Sequence, residues 1–157
     1  MITQTKARKK SSRIASENIR EGLHIYVAYW RENIHRFAMD YLNVNLHIFQ
    51  IILLYMMNKN TFFMFIASRG LGKSFLIAIY CCCRAILFPE SKIIIGAGSR
   101  GQAKLLISQK IEKELISMSP ALRKEIKEIR CGANEAKVVF WNGSTIEAVV
   151  SGDGSRG

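Results

Sequence analysis

Acidic side chains are the scarce charge of this sequence: 12 Asp and Glu stand against 23 Lys and Arg, for a formal net charge of +11. Such a surplus favours polyanions as partners, through counterion release and long-range attraction. It is spread rather than blocked, at +5 over residues 1–36, +2 over 37–90 and +4 over 91–157. Charge alone therefore does not separate a nucleic-acid binder from a protein that is merely soluble. Long apolar runs are lacking as well. The longest stretch free of formal charge, Tyr41 to Asn58, carries Asn43, Asn45, His47 and Gln50, which argues against a membrane span. The first residues, MITQTKARKK, are basic but have no apolar run directly behind them and no small-residue cleavage pattern, so no secretory signal is read and the chain is expected in the cytoplasm.

Metal-ligand spacing is missing too. His24, His35 and His47 stand alone, without a Cys or carboxylate partner at ligand distance in sequence. Cys81, Cys82 and Cys83 are consecutive, and neighbouring helical residues point about 100° apart, so they do not share one tetrahedral ion. These three and Cys131 are read as buried free thiols in a reducing compartment. No internal repeat or low-complexity tract interrupts the chain.

What is present suits one domain: 157 residues, 49% of them hydrophobic, is enough for a single core and excludes global disorder. Residues 1–12 are polar and basic and are expected to form a mobile arm. From Arg13 to Leu42 apolar residues recur at spacings of three and four, which predicts helices, with Gly22 and Asn33 as interruptions. Leu46 to Met57 is a second apolar helix. The period then changes, and Thr61 to Ala67 reads as a strand covered on both faces. A helix from Phe75 to Leu87 ends before Pro89, a second buried strand runs Lys92 to Ala97, and an amphipathic helix runs Ser99 to Ile116 with Ala103, Leu106, Ile107 and Ile111 on one face. This alternation predicts an α/β fold with a mostly parallel sheet flanked by helices. Val138 to Trp141, Asn142-Gly143 and Ser144 to Val150 read as a hairpin with a two-residue turn.

Between the first predicted strand and its helix lies Ala67-Ser68-Arg69-Gly70-Leu71-Gly72-Lys73-Ser74, which fits the phosphate-loop pattern G-x-x-x-x-G-K-[ST] except at its first position. Triphosphate oxygens need several converging backbone N–H donors, and Gly70 and Gly72 let the chain curl around them. Lys73 would set an ammonium between the terminal phosphates, and the Ser74 hydroxyl would complete the coordination of Mg2+. Arg69 reaches the terminal phosphate in one reading and is a solvated surface arginine in the other. Gln50 follows Phe49 in the apolar helix, and a Gln amide can pair with the N6 and N7 edge of adenine while an aromatic ring covers the base. The plainer reading puts Gln50 on the helix's solvent side.

The order of these pieces resembles the ATPase domain of large terminase subunits, the DNA-packaging motors of tailed bacteriophages. The likeness covers roughly residues 29–157 and rests on YWRENIHRFAMDYLNVNLHIFQ, on ASRGLGKS and on WNGSTIEAVVSGDGSRG. It implies a P-loop NTPase, with residues 1–42 a basic arm and helical entry segment and 43–157 the first part of the ATPase domain. It further implies ATP and Mg2+ as cofactors, double-stranded DNA as substrate, a small terminase subunit and a portal as partners, a ring when full length, and the host cytoplasm as its place. Phe49 and Gln50 become the adenine contact, Arg69 a charge stabiliser, Lys73 and Ser74 the phosphate and magnesium groups, and Arg156 part of an Arg-Gly element. The departure is at the end: no apolar strand closes in Asp-Glu, and Asp153 is the nearest carboxylate. The catalytic acids and the nuclease domain are thus expected beyond this chain, which leaves a sheet with an unpaired edge. Another DNA-translocating or helicase-like ATPase, and a non-catalytic nucleic-acid-binding module, are the alternative readings.

Overall fold

Helices fill the first half of the chain, and sheet strands come only after residue 91. The structure, a computed structural model, describes residues 2–132 and 135–150, with the side chains of 17–99, 101–132 and 135–149. Helix α1 spans Ile2–Glu32 without a break. The expected arm is therefore helical from Ile2. Its Gln, Lys, Arg and Ala residues are good helix formers, so backbone propensity suffices where apolar packing residues are lacking. Gly22 does not interrupt it, at a cost of about 1 kcal/mol relative to Ala. Asn33 does, and its side-chain amide donates back to the Tyr29 carbonyl at 3.0 Å. Helix α2 (Ile34–Asp40) and α3 (Ile48–Lys59) follow. Among the described residues no helix is long and apolar enough to cross a membrane.

Helix α4, Lys73–Leu87, is the hub, in contact with α1, α2, α3, β1 and β4. Leu76, Ala78, Ile79, Cys81, Cys82, Cys83, Ala85 and Leu87 are all buried, so neighbours cover it on every side. The three consecutive thiols are free and buried, as the sequence implied, whereas Cys131 is only half-buried.

The four-stranded sheet has the order β1-β4-β3-β2, where β1 is Lys92–Ala97, β2 Ile126–Cys131, β3 Ala136–Phe140 and β4 Thr145–Val150. The fold class is α/β, but the sheet is not mostly parallel. Only β1 and β4 run parallel, with Ile93 opposite Ile146, while β3 pairs antiparallel with both β4 and β2. Two departures from expectation cause this. Residues 61–67 form no strand: Phe62, Met64 and Ile66 are 93%, 88% and 95% exposed, while Phe63, Phe65 and Ala67 are half-buried. The period-two alternation of a strand is kept, but a ladder needs a neighbour, and none among the described residues pairs with it. Strand β1, expected to be covered on both faces, is an edge strand whose Ile94 is 68% exposed. Strand β2 was not foreseen, because Lys127, Glu128 and Arg130 mask it with charge of the kind that edge strands carry.

Between β1 and β2, α5 (Arg100–Leu105) passes into a π-helical stretch, Leu106–Leu115, then α6 (Ile116–Met118) and α7 (Pro120–Glu125). Buried Ala103, Ile107, Ile111 and Leu115 recur every four residues. In an α-helix such a row drifts by about 40° per step, and a wider turn, in which the Ile116 N–H reaches the Ile111 carbonyl, holds it against the core.

The β3–β4 turn differs from the two-residue form expected. The Gly143 N–H bonds the Phe140 carbonyl at 3.2 Å and only Gly143 takes a positive φ, +84°. That is a three-residue connection, a type I turn closed by a left-handed glycine. Asn142 is thereby freed to act elsewhere. Its amide donates to the Ala85 and Ile86 carbonyls at 2.8 and 3.1 Å, closing the C-terminal end of α4, and Ser144 Oγ donates to the Phe88 carbonyl at 3.1 Å.

Replacing Asn142 by Ala leaves those helix-end carbonyls without their donor, and chemical denaturation should show a loss of about 2 kcal/mol with the slope unchanged. Burial pushes the Cys81 thiol up to about 12 and raises Cys82 and Cys83 as well. A raised thiol favours the folded state only while protonated, so this contribution is full below its ordinary value of 9.0 and is lost as pH climbs towards 12. Alkylation of the native protein at pH 8, followed by mass spectrometry, should label Cys131 first and Cys81–Cys83 only on unfolding.

Candidate phosphate-binding site

Two glycines in left-handed conformation set up the segment before α4: Gly70 has φ +87° and Gly72 φ +71°. Gly72 is the N-cap of α4, and its carbonyl accepts from the Leu76 N–H at 2.9 Å. No side chain caps this end and the first turn carries no acidic residue, so the leading N–H groups and the positive end of a 15-residue helix point to an anion.

Lys73, the first residue of α4, is half-buried and folds back over the loop. Its ammonium donates to the Ala67 carbonyl at 2.5 Å and the Ser68 carbonyl at 2.6 Å. Ser68, Arg69, Gly70 and Leu71 are exposed, and among the described residues Arg69 makes no hydrogen bond or ion pair. Ser74 is exposed as well.

The first turn of α4 stands between two cavities. One, of about 310 Å³, is lined by Phe49, Ile52, Leu53, Phe65 and Leu71 with Lys73 at its edge. The other, of about 440 Å³, opens beside Ser74 against the C-terminal end of β1, with Gln102, Gln109 and Lys110 on its wall. Both fall in the size range of small-molecule sites. Among the described residues no carboxylate lines the Ser74 cavity, and none form a cluster of three or more His, Cys, Asp or Glu suited to a metal ion.

Phe49 and Gln50 are parted by the helix they share. Phe49 is 40% exposed, lines the apolar cavity and stacks on His47 with ring centroids 5.9 Å apart. Gln50 is buried at 6% exposure, and lies on neither the solvent side nor the cavity wall. Its Oε1 accepts from the His47 backbone N–H at 2.9 Å, and its Nε2 lies 3.3 Å from where a Cβ on Gly72 would stand. Arg156 and Asp153 lie outside the described residues. Ile52, Leu53 and Phe65 went unremarked in the sequence. The signal was there, since Phe49, Ile52 and Leu53 share a helix face at i, i+3 and i+4.

No protein-family model matches this sequence, and no curated protein sequence is significantly similar to it.

The two loop glycines should respond unequally to a methyl group. Gly70→Ala meets nothing within 4 Å and carries only the left-handed strain, about 1 kcal/mol. Gly72→Ala adds the approach to Gln50 at 3.3 Å, so its melting temperature should fall further than that of Gly70→Ala.

Proposed function

We propose that residues 67–74 form a phosphate loop that binds ATP with Mg2+, and that the chain is the nucleotide-binding part of an ATP-driven motor acting on double-stranded DNA. The observation that carries this reading is a pair of left-handed glycines set directly before a helix that begins with Lys73, next to an apolar cavity large enough for a base. The residues present fit a polyphosphate. Gly70, Leu71 and Gly72 offer the curled backbone, and the α4 N-terminus supplies unpaired donors. Lys73 exchanges the Ala67 and Ser68 carbonyls for phosphate oxygens. Arg69, exposed and unpaired among the described residues, is placed in the loop to meet the terminal phosphate. Phe49 covers one wall of the base cavity.

For Mg2+ the described residues supply one group, the Ser74 hydroxyl, so the remaining positions belong to phosphate oxygens and water. The ion, when bound, neutralises charge between the β- and γ-phosphates. Among the described residues no carboxylate lines the cavity beside Ser74, so these residues bind and orient the nucleotide without a carboxylate to activate water, although Gln102 and Gln109 stand on the cavity wall. The terminase likeness, with its small subunit and portal as partners, rests on YWRENIHRFAMDYLNVNLHIFQ, ASRGLGKS and WNGSTIEAVVSGDGSRG in that order, and the DNA substrate rests on that likeness and the net charge of +11.

Equilibrium titration separates this reading from a plain nucleic-acid-binding module. Lys73→Ala should weaken Mg-ATP binding at least about tenfold, because a charge-assisted contact to phosphate is lost, while leaving DNA binding close to unchanged. A chain whose ATP affinity ignores Lys73→Ala is not a phosphate-loop protein. Steady ATP turnover by the chain, absent in Lys73→Ala, would overturn the expectation that its catalytic acids lie elsewhere.

A further inference from the structure

We propose that Gln50 is a positioning residue of the phosphate loop rather than a reader of the base, and that the site takes nucleoside triphosphates without a strong choice of base, adenine and guanine included. The inference rests on residues 67–74 being a nucleotide loop. Three observations carry it. First, a Gln pairs with the adenine edge only by offering its carbonyl oxygen and its amide together. The Gln50 oxygen accepts from the His47 N–H at 2.9 Å, satisfying a leading donor of α3, and Gln50 does not line the base cavity. Second, the amide nitrogen lies beside Gly72, 3.3 Å from the position a Cβ would occupy there, and Gly72 is the left-handed N-cap from which α4 starts. Gln50 thus packs from the first turn of α3 against the last residue of the loop, from a buried position with 6% exposure. Third, among the described residues the only polar side chain lining the base cavity is Lys73, whose partners are the loop carbonyls and, on binding, phosphate. A base that enters meets Phe49, Phe65 and aliphatic side chains. Stacking and burial tolerate any ring with a π-face, and strong discrimination needs a placed hydrogen-bonding group.

The test is calorimetric titration of the 157-residue chain and two variants with Mg-ATP, Mg-GTP and inorganic tripolyphosphate, which has no base. The unaltered chain should bind ATP and GTP within about threefold of each other, as expected of contacts that stack but do not read an edge. Gln50→Ala should weaken all three ligands by a common factor of about ten, the usual scale for losing a supporting partner behind a ligand contact. Gln50→Glu keeps an acceptor for the His47 N–H but turns a carboxylate towards Gly72, so its melting temperature should hold while all three affinities stay low. A loss confined to ATP, with tripolyphosphate unaffected, would make Gln50 a base reader and overturn the proposal while leaving the nucleotide loop standing. Full recovery in Gln50→Glu would reduce Gln50 to a helix cap, with the same result. If the unaltered chain binds none of the three, the nucleotide reading fails and this inference falls with it.

Discussion

The structure depends on the burial of α4 around its whole circumference. A helix with eight buried positions, wrapped by helices on one side and the sheet on the other, has no freedom to rotate or slide without opening the core. Its first turn is therefore fixed in space by packing at the other end of its length. The phosphate loop proposed above would need this: donors at the start of the helix in place before an anion arrives, because ordering them on arrival would consume binding energy.

The far end of α4 is held by different chemistry. Asn142 and Ser144, from the β3–β4 connection, bond the last carbonyls of the helix and of Phe88, and the Arg31 guanidinium reaches the Leu87 carbonyl at 2.8 Å from the end of α1. Arg31 and Arg84 both lie over the Phe88 ring, at 5.2 and 4.0 Å from its centre. Cations there also suit the negative end of the helix dipole. The turn that looked in sequence like a plain hairpin is thus the clasp that links the sheet to the site-bearing helix.

What was legible in the sequence was local. The left-handed glycines between Ala67 and Ser74, and the helix that starts at Lys73, could be expected because they are written in eight consecutive residues, and the other helices from apolar spacing. The pairing of strands was not legible, because it depends on a distant neighbour: Thr61 to Ala67 has the composition of a buried strand but finds no partner among the described residues. Asn142-Gly143 announced a turn, yet its type depended on Asn142 having helix-end carbonyls to satisfy. Gln50 was misplaced for a related reason. A single polar residue in an apolar helix marks the solvent side by default, and only the approach of Gly72 from 22 residues downstream reveals a buried task.

The folded-back lysine has one last consequence. An ammonium already resting on two carbonyl dipoles is electrostatically quiet, and a chloride or a lone monovalent oxyanion gains little by prying it loose. A chain of several phosphates, on the proposed reading, would repay the exchange through several oxygens at once. The resting lysine would then serve as the loop's own placeholder ligand, holding the turn in shape until such an anion arrives.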